Sequence, residues 1–280
     1  MPPPEHAWDI SPEYAILTID ARNFSKVPES LQPALKEAMT TALQAAFTNS
    51  GLADEWADPS FKRDNGDGFT MAFAPLRSWR LVDPMPRRLD QALEDYQVEK
   101  EPGVPDLAIR MALHIGPFPP SHLSDAINDV SRFIDSATAK TALEGAVANG
   151  GHTALVLSDE MFRRVIGAGR SPLTEERHFL RIPATDVPGR DFSKPSWVYA
   201  PRVPPEKLAS RFGSPRPSAP NTSLGNRRNS LAAELLQSAG SSGRLNVHTV
   251  ADQITSVHAV QINQAGLVTG LPRRRSSSDP

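Results

Sequence analysis

The sequence predicts an α+β domain with a mostly antiparallel sheet and helices packed on it, joined through a flexible linker to a short tail. Three observations carry this. Along residues 8–200, apolar runs of strand length alternate with segments of helical period. At 61–73, "FKRDNGDGFTMAF", an Asn-Gly-Asp-Gly turn joins two alternating runs as a hairpin requires. From 201 to 243 proline and serine dominate, and such a composition buries too little apolar surface to offset chain entropy.

The elements follow in order. "YAILTID" (14–20) is a continuous apolar run ending in an acid, which suits a buried central strand. In 30–49, Leu31, Leu35, Met39, Leu43 and Phe47 recur at helical spacing and give a helix that packs one face on that strand. The hairpin comes next, then a helix over 85–97 and an alternating strand over 107–116. Residues 126–151 read as one long helix ending at Gly150-Gly151, where glycine favours a C-terminal cap. "TALVLS" is a strand, and Ser158 caps a further helix whose first turn holds Asp159 and Glu160. "HFLRIP" and "SWVYAP" close the sheet. The order begins β-α-β-β-α-β.

The bulk numbers exclude several classes. A net charge of −2 over 280 residues gives no argument for nucleic acid or a membrane surface as partner. The absence of cysteine excludes disulfides and thiolate metal sites. The start, "MPPPEHAWDI", lacks a basic region followed by an apolar run, and no stretch reaches the ~18 apolar residues of a membrane span. A soluble, cytoplasmic protein is expected.

Chemistry is suggested by two carboxylates. In a β-α-β-β unit the first strand usually lies centrally, beside the hairpin, so Asp20 at its end and Asp67 in the turn face one point. Either the turn is only a turn, or the pair holds a cation, since adjacent carboxylates repel without one. Hard oxygen donors suit Mg²⁺ or Mn²⁺, which keep waters and recruit phosphates. The loop after Asp20, with Phe24 and Ser25, offers backbone N–H groups as a phosphate cradle. Asn128 and Arg132 share one helix face, either as contacts for a sugar and a phosphate or as an exposed i, i+4 pair.

Five segments in order, "LTIDARNFS", "RDNGDGFTMAF", "IRMALHIGPF", "AINDVSRFID" and "ALVLSDEMF", together resemble the class III nucleotidyl cyclase catalytic domain over about residues 10–200. The resemblance implies a ferredoxin-like, palm-type fold and conversion of a nucleoside triphosphate to a cyclic nucleotide and pyrophosphate. It implies two Mg²⁺ or Mn²⁺ ions held by Asp20, Asp67 and the Ala21 carbonyl. Asn128 and Arg132 match its Asn-x-x-x-Arg, which orients the ribose and stabilises the transition state. A homodimer with sites shared between partners is implied as well.

The departures concern the base. Arg63 stands three residues before the glycine of Gly-Asp-Gly, where adenylyl cyclases of the family have Lys and guanylyl cyclases have Glu. The second base-reading position falls near Ser121. Asn23 replaces a frequent glycine, and Arg181 or Lys194 is left as the triphosphate-binding cation. In lacking the purine-reading pair the chain is similar to the pyrimidine cyclases of anti-phage Pycsar systems. UTP or CTP is therefore favoured over ATP. The alternatives are an adenylate or guanylate cyclase, or a silent nucleotide-binding dimeriser. A diguanylate cyclase is disfavoured, since its Gly-Gly-Asp/Glu-Glu-Phe turn is missing. Residues 244–270 alternate loosely around Val247, Val250, Ile254, Val257 and Val260, as in a short β-rich element that docks a partner protein, or as chance valines in a tail. Residues 271–280 read as a basic, serine-rich disordered end.

Overall fold

A computed structural model describes residues 11–119, 121 and 124–212. Most of the expected linker, the 244–270 element and the 271–280 end lie outside the described residues.

Seven strands form one mixed sheet, ordered β2-β3-β1-β4-β5-β7-β6. They are β1 (Glu13–Ala21), β2 (Phe61–Asp64), β3 (Gly68–Phe73), β4 (Ile109–Pro117), β5 (Thr153–Ser158), β6 (Leu180–Asp186) and β7 (Ser193–Tyr199). Only β4 and β5 run parallel among these neighbours. The first four strands take the order β2-β3-β1-β4, the ferredoxin-like arrangement, so the α+β expectation holds. β1 is central because its middle is apolar on both faces: Ala15, Ile16, Leu17 and Ile19 are fully buried.

Alternation along the strands divides the core in two. Ala15, Leu17 and Ile19 join the cluster under α1 (Gln32–Asn49) and α3 (Met85–Glu99). Ile16, Ala72 and Ala112 join the cluster under α4 (Asp125–Asp135) and α5 (Ala137–Val147). A short α2 (Ala53–Ala57) leads into the hairpin. After β5 comes α6 (Asp159–Val165), where Ser158 Oγ accepts from the Met161 N–H as the sequence suggested.

Two expectations are corrected. The helix read as one piece over 126–151 is two, α4 and α5, broken at Ser136. That residue is extended (φ −62°, ψ 156°), and its Oγ accepts from the Ala139 N–H as the N-cap of α5. The folded domain also passes the boundary expected at 200. Proline at the first turn starts α7 (Pro205–Ala209), and Leu208 is fully buried among the residues under α5.

Candidate active site

The hairpin turn is built to hold Asp67 at the end of β1. The Asn65 N–H donates to the Gly68 carbonyl (3.0 Å), and the Asp64 carboxylate accepts from the Gly66 N–H (2.7 Å). Lys36 reaches across from α1, donating to Asp64 Oδ1 (2.7 Å) and the Gly66 carbonyl (2.8 Å). The Asp67 carbonyl accepts from the Ala21 N–H (2.9 Å), which docks the turn on β1. Gly68 is needed because β1 comes close: a Cβ there would lie 1.8 Å from the Ile19 carbonyl oxygen.

The register places Asp20 opposite Gly68 on one side and Arg110 on the other. Asp67, docked on β1 through the Ala21 N–H, lies close enough to Asp20 for its charge to act on that carboxylate. Burial pushes the Asp20 carboxyl up to about 6, with Asp67 adding to the rise while Arg110 opposes it. Arg110 forms an ion pair with Asp20 Oδ2, yet that buried oxygen and Arg110 Nε make no well-aligned hydrogen bond among the described residues. Two hard carboxylates side by side, one of them held by a single cation, fit a divalent metal ion. No cluster of three or more His, Cys, Asp and Glu side chains is formed among the described residues, so backbone oxygen, water or substrate must complete any coordination.

The pair also yields a stability prediction. The folded pKa of Asp20 lies above its ordinary 3.8, so the native state binds the proton more tightly and loses stability as pH rises from about 3.8 to about 6. Asp67→Asn removes one source of that loss and leaves the Asp20–Arg110 pair in place. At pH 7.5 without metal its melting temperature should rise by about 2–4 °C, roughly 1 kcal/mol after solvent screening. At pH 4 the gain should vanish. Calorimetry showing no gain at pH 7.5 would contradict the repulsion.

Beyond Ala21 the chain turns through Asn23 in the left-handed region (φ 59°) into a single 3-10 turn, Phe24–Lys26. The N–H groups of Asn23 and Ser25 make no backbone hydrogen bond among the described residues. Arg22, Asn23 and Lys26 line a cavity of about 890 Å³ at this end of the sheet, together with His152.

Asn128 and Arg132 lie elsewhere. The apolar face of α4 (Ala126, Val130, Phe133, Ile134) is buried, while Asn128 is exposed and Arg132 half-buried. Arg132 donates to Asp129 (3.3 Å) and stands over the Phe192 ring (5.5 Å). Asn128 and Arg63 line one cavity of about 610 Å³ with Ser124 and Pro117. Arg63 is exposed and donates to Asn65 (3.1 Å). Ser121 is exposed in the turn before α4.

No ion pair or hydrogen bond among the described residues joins the carboxylates to Asn128 or Arg132. Phe133 packs 6.3 Å from the His114 ring, four residues along β4 from Arg110, or roughly 13 Å. The carboxylates and Arg132 thus occupy separate regions of the chain. Of the two candidate triphosphate cations, Lys194 meets Asp129 beside Arg132 (2.5 Å), whereas Arg181 stands over Trp197 (5.9 Å).

Sequence reasoning gave no role to Arg110, Lys36 or Asp129. Arg110 alone had a usable signal, since a strand pairing with the end of β1 brings its cation beside Asp20.

Comparison with solved structures finds similarity in chain course. The adenylate/guanylate cyclase/hydrolase of Silicibacter pomeroyi is 16% identical, with 70% of this chain and 100% of that chain covered at a TM-score of 0.46. The guanylate cyclase domain of RhGC from Catenaria anguillulae, in complex with GTP, is 16% identical (69% and 98% covered, TM-score 0.44). The dimeric guanylyl cyclase domain of the RhoGC fusion protein from Blastocladiella emersonii is 15% identical (67% and 96% covered, TM-score 0.41). No family model and no curated protein matches the chain. Among the described residues, no helix is long and apolar enough to cross a membrane.

Proposed function

We propose that this domain is a metal-dependent nucleotidyl cyclase, working as a homodimer on a nucleoside triphosphate, with UTP or CTP preferred. The observation that carries the reading is the placement of Asp67 beside Asp20 at the end of β1, where the turn docks on the Ala21 N–H and Asp20 stands opposite Gly68, with the Asp20 carboxyl raised to about 6. Such a pair destabilises the protein unless it holds a cation, and the five-segment resemblance to class III cyclases assigns both residues that task.

Asp20, Asp67 and the Ala21 carbonyl would hold two Mg²⁺ or Mn²⁺ ions. When bound, these lower the pKa of the ribose 3′-hydroxyl and neutralise triphosphate charge. The loop at Phe24 and Ser25 takes the distal phosphates on its N–H groups. Arg110, already beside Asp20, supplies a cation that can turn from carboxylate to phosphate. Asn128, with its exposed amide, orients the ribose. The 3′-oxygen attacks the α-phosphorus, the bond to the β-phosphate oxygen breaks, and pyrophosphate leaves while the hydroxyl proton passes to solvent. Arg132 meets the negative charge that grows on the phosphoryl oxygens. Because carboxylates and Arg132 occupy separate regions of one chain, a second copy completes each site, as the family resemblance implies.

Arg63 carries the base preference. It offers only donors, which suit the O2 or O4 acceptors of a pyrimidine, or guanine O6, better than the amine of adenine. A small pyrimidine also leaves more room for the long arginine. An unmatched buried polar group costs ~1–3 kcal/mol, enough to order the substrates. Equal concentrations of all four nucleoside triphosphates with Mn²⁺, and quantification of every cyclic product together, test both levels of the reading. Cyclic UMP or CMP should predominate. Predominant cyclic AMP overturns the base assignment and leaves the reaction intact; no cyclic product from any substrate overturns the reaction. The cyclic product would serve as a signal, and its place in anti-phage defence rests on the Pycsar resemblance.

A further inference from the structure

Asp129 is a carboxylate in the wrong place for a surface helix. It lies on the buried side of α4 between Ala126 and Phe133, both buried, with its own side chain 8% exposed. An ionised carboxylate survives there only if it is paired. Each oxygen has its own cation: Oδ1 accepts from Arg132 Nη1 (3.3 Å) and Oδ2 from Lys194 Nζ (2.5 Å). These cations come from different elements, α4 and the start of β7, 62 residues apart in the sequence.

The exposure of the three groups differs in a way that matters. The carboxylate lies beneath, while the Arg132 and Lys194 side chains are 31% and 43% exposed above it. A guanidinium has five N–H donors and an ammonium three, so most remain available after each meets Asp129. Two cations drawn together would ordinarily repel each other; a shared carboxylate offsets that cost and leaves a net positive pair. Such a pair suits a ligand with several linked negative oxygens better than it suits a single carboxylate. An incoming anion can reach both cations without displacing Asp129, so the contact does not block the site.

We propose that Asp129 is a positioning residue that gathers Arg132 and Lys194 into one clamp for a polyphosphate chain. The identity of that chain as the substrate triphosphate rests on the function proposed above. Without Asp129, the Lys194 side chain has no anchor among the described residues, and Arg132 keeps only its contact with Phe192.

The test uses the full chain and two readouts, calorimetric binding of inorganic tripolyphosphate and steady-state turnover. Asp129→Asn keeps the shape and removes the charge. It should weaken tripolyphosphate binding by about 10-fold and lower kcat/KM by about 10- to 100-fold. Lys194→Met, at a half-buried position, leaves Asp129 paired with Arg132 and should weaken binding to a similar extent. Combining the two should add little, because both break one clamp. Asp129→Glu, which retains the charge, should recover most of the binding. Full additivity of the two substitutions, or unchanged tripolyphosphate affinity in Asp129→Asn, overturns the proposal. So does a wild-type chain that binds no tripolyphosphate. A wild-type chain that binds tripolyphosphate through Asp129 but cyclises no nucleotide retires the reaction and upholds the clamp. If Asp129→Asn does not fold, the Lys194→Met and Asp129→Glu affinities decide: equal losses in both overturn it, and a loss confined to Lys194→Met supports it.

Discussion

Asp20→Ala and Asp67→Ala should each lower cyclase turnover by at least ~10²-fold at saturating Mn²⁺, because metal ions carry most of the charge stabilisation in such a transfer. Neither side chain is needed for the fold. Asp20 stands at the last turn of β1, and the strand's register with β3 and β4 is set by backbone bonds and by Ile16, Leu17 and Ile19. Asp67 docks on β1 through its carbonyl, which alanine retains. The two variants differ in what they leave behind. Asp20→Ala strands the largely buried Arg110 guanidinium and should cost some stability. Asp67→Ala relieves a repulsion and should not. Equal loss of activity with opposite effects on melting temperature would therefore separate metal binding from folding. Retention of near-full activity by either variant would remove it from the metal site.

How far the sequence revealed these features depends on whether their causes are local. β1 was legible because an apolar run of strand length has one stable destination, the middle of a sheet, and β3 and β4 because their residues alternate. The hairpin was legible because its turn residues are those that the backbone conformation demands. The break between α4 and α5 was not. Apolar periodicity continues across it, and Ser136 ends one helix and caps the next without the glycine or proline that usually marks a boundary. The end of the domain is hidden in composition, because proline marks linkers and first helical turns alike, and at Pro205 it begins a helix anchored by Leu208. In the site, Asp20 and Asp67 could be paired on paper from strand order alone. The roles of Arg110 and Asp129 depend on long-range partners, through strand register in one case and a side chain 65 residues away in the other. Periodicity carries no trace of either.

Arg132→Ala should lower kcat by on the order of 10²-fold or more while raising KM much less, since a group that meets developing charge contributes mainly in the transition state. An effect confined to KM would make Arg132 a substrate-binding residue instead. Truncation leaves Asp129 with Lys194 as its only cation, so the buried carboxylate stays paired and the fold should survive. The separation of the carboxylates from Arg132 then gives a sharper result. Asp67→Ala lacks one half and Arg132→Ala lacks the other, and in one chain these residues are in separate regions of the sheet and its helices. If each working site takes its carboxylates from one copy and Arg132 from its partner, a mixed dimer contains one intact site and one doubly broken site. Random pairing in an equal mixture makes half the dimers mixed, so activity should return to about a quarter of wild type from two nearly inactive parents. Activity of the mixture should also fall on dilution, as dissociation destroys the shared site. A mixture no more active than its components, under conditions where exchange of subunits is shown by light scattering or labelling, would mean that each chain assembles its site alone.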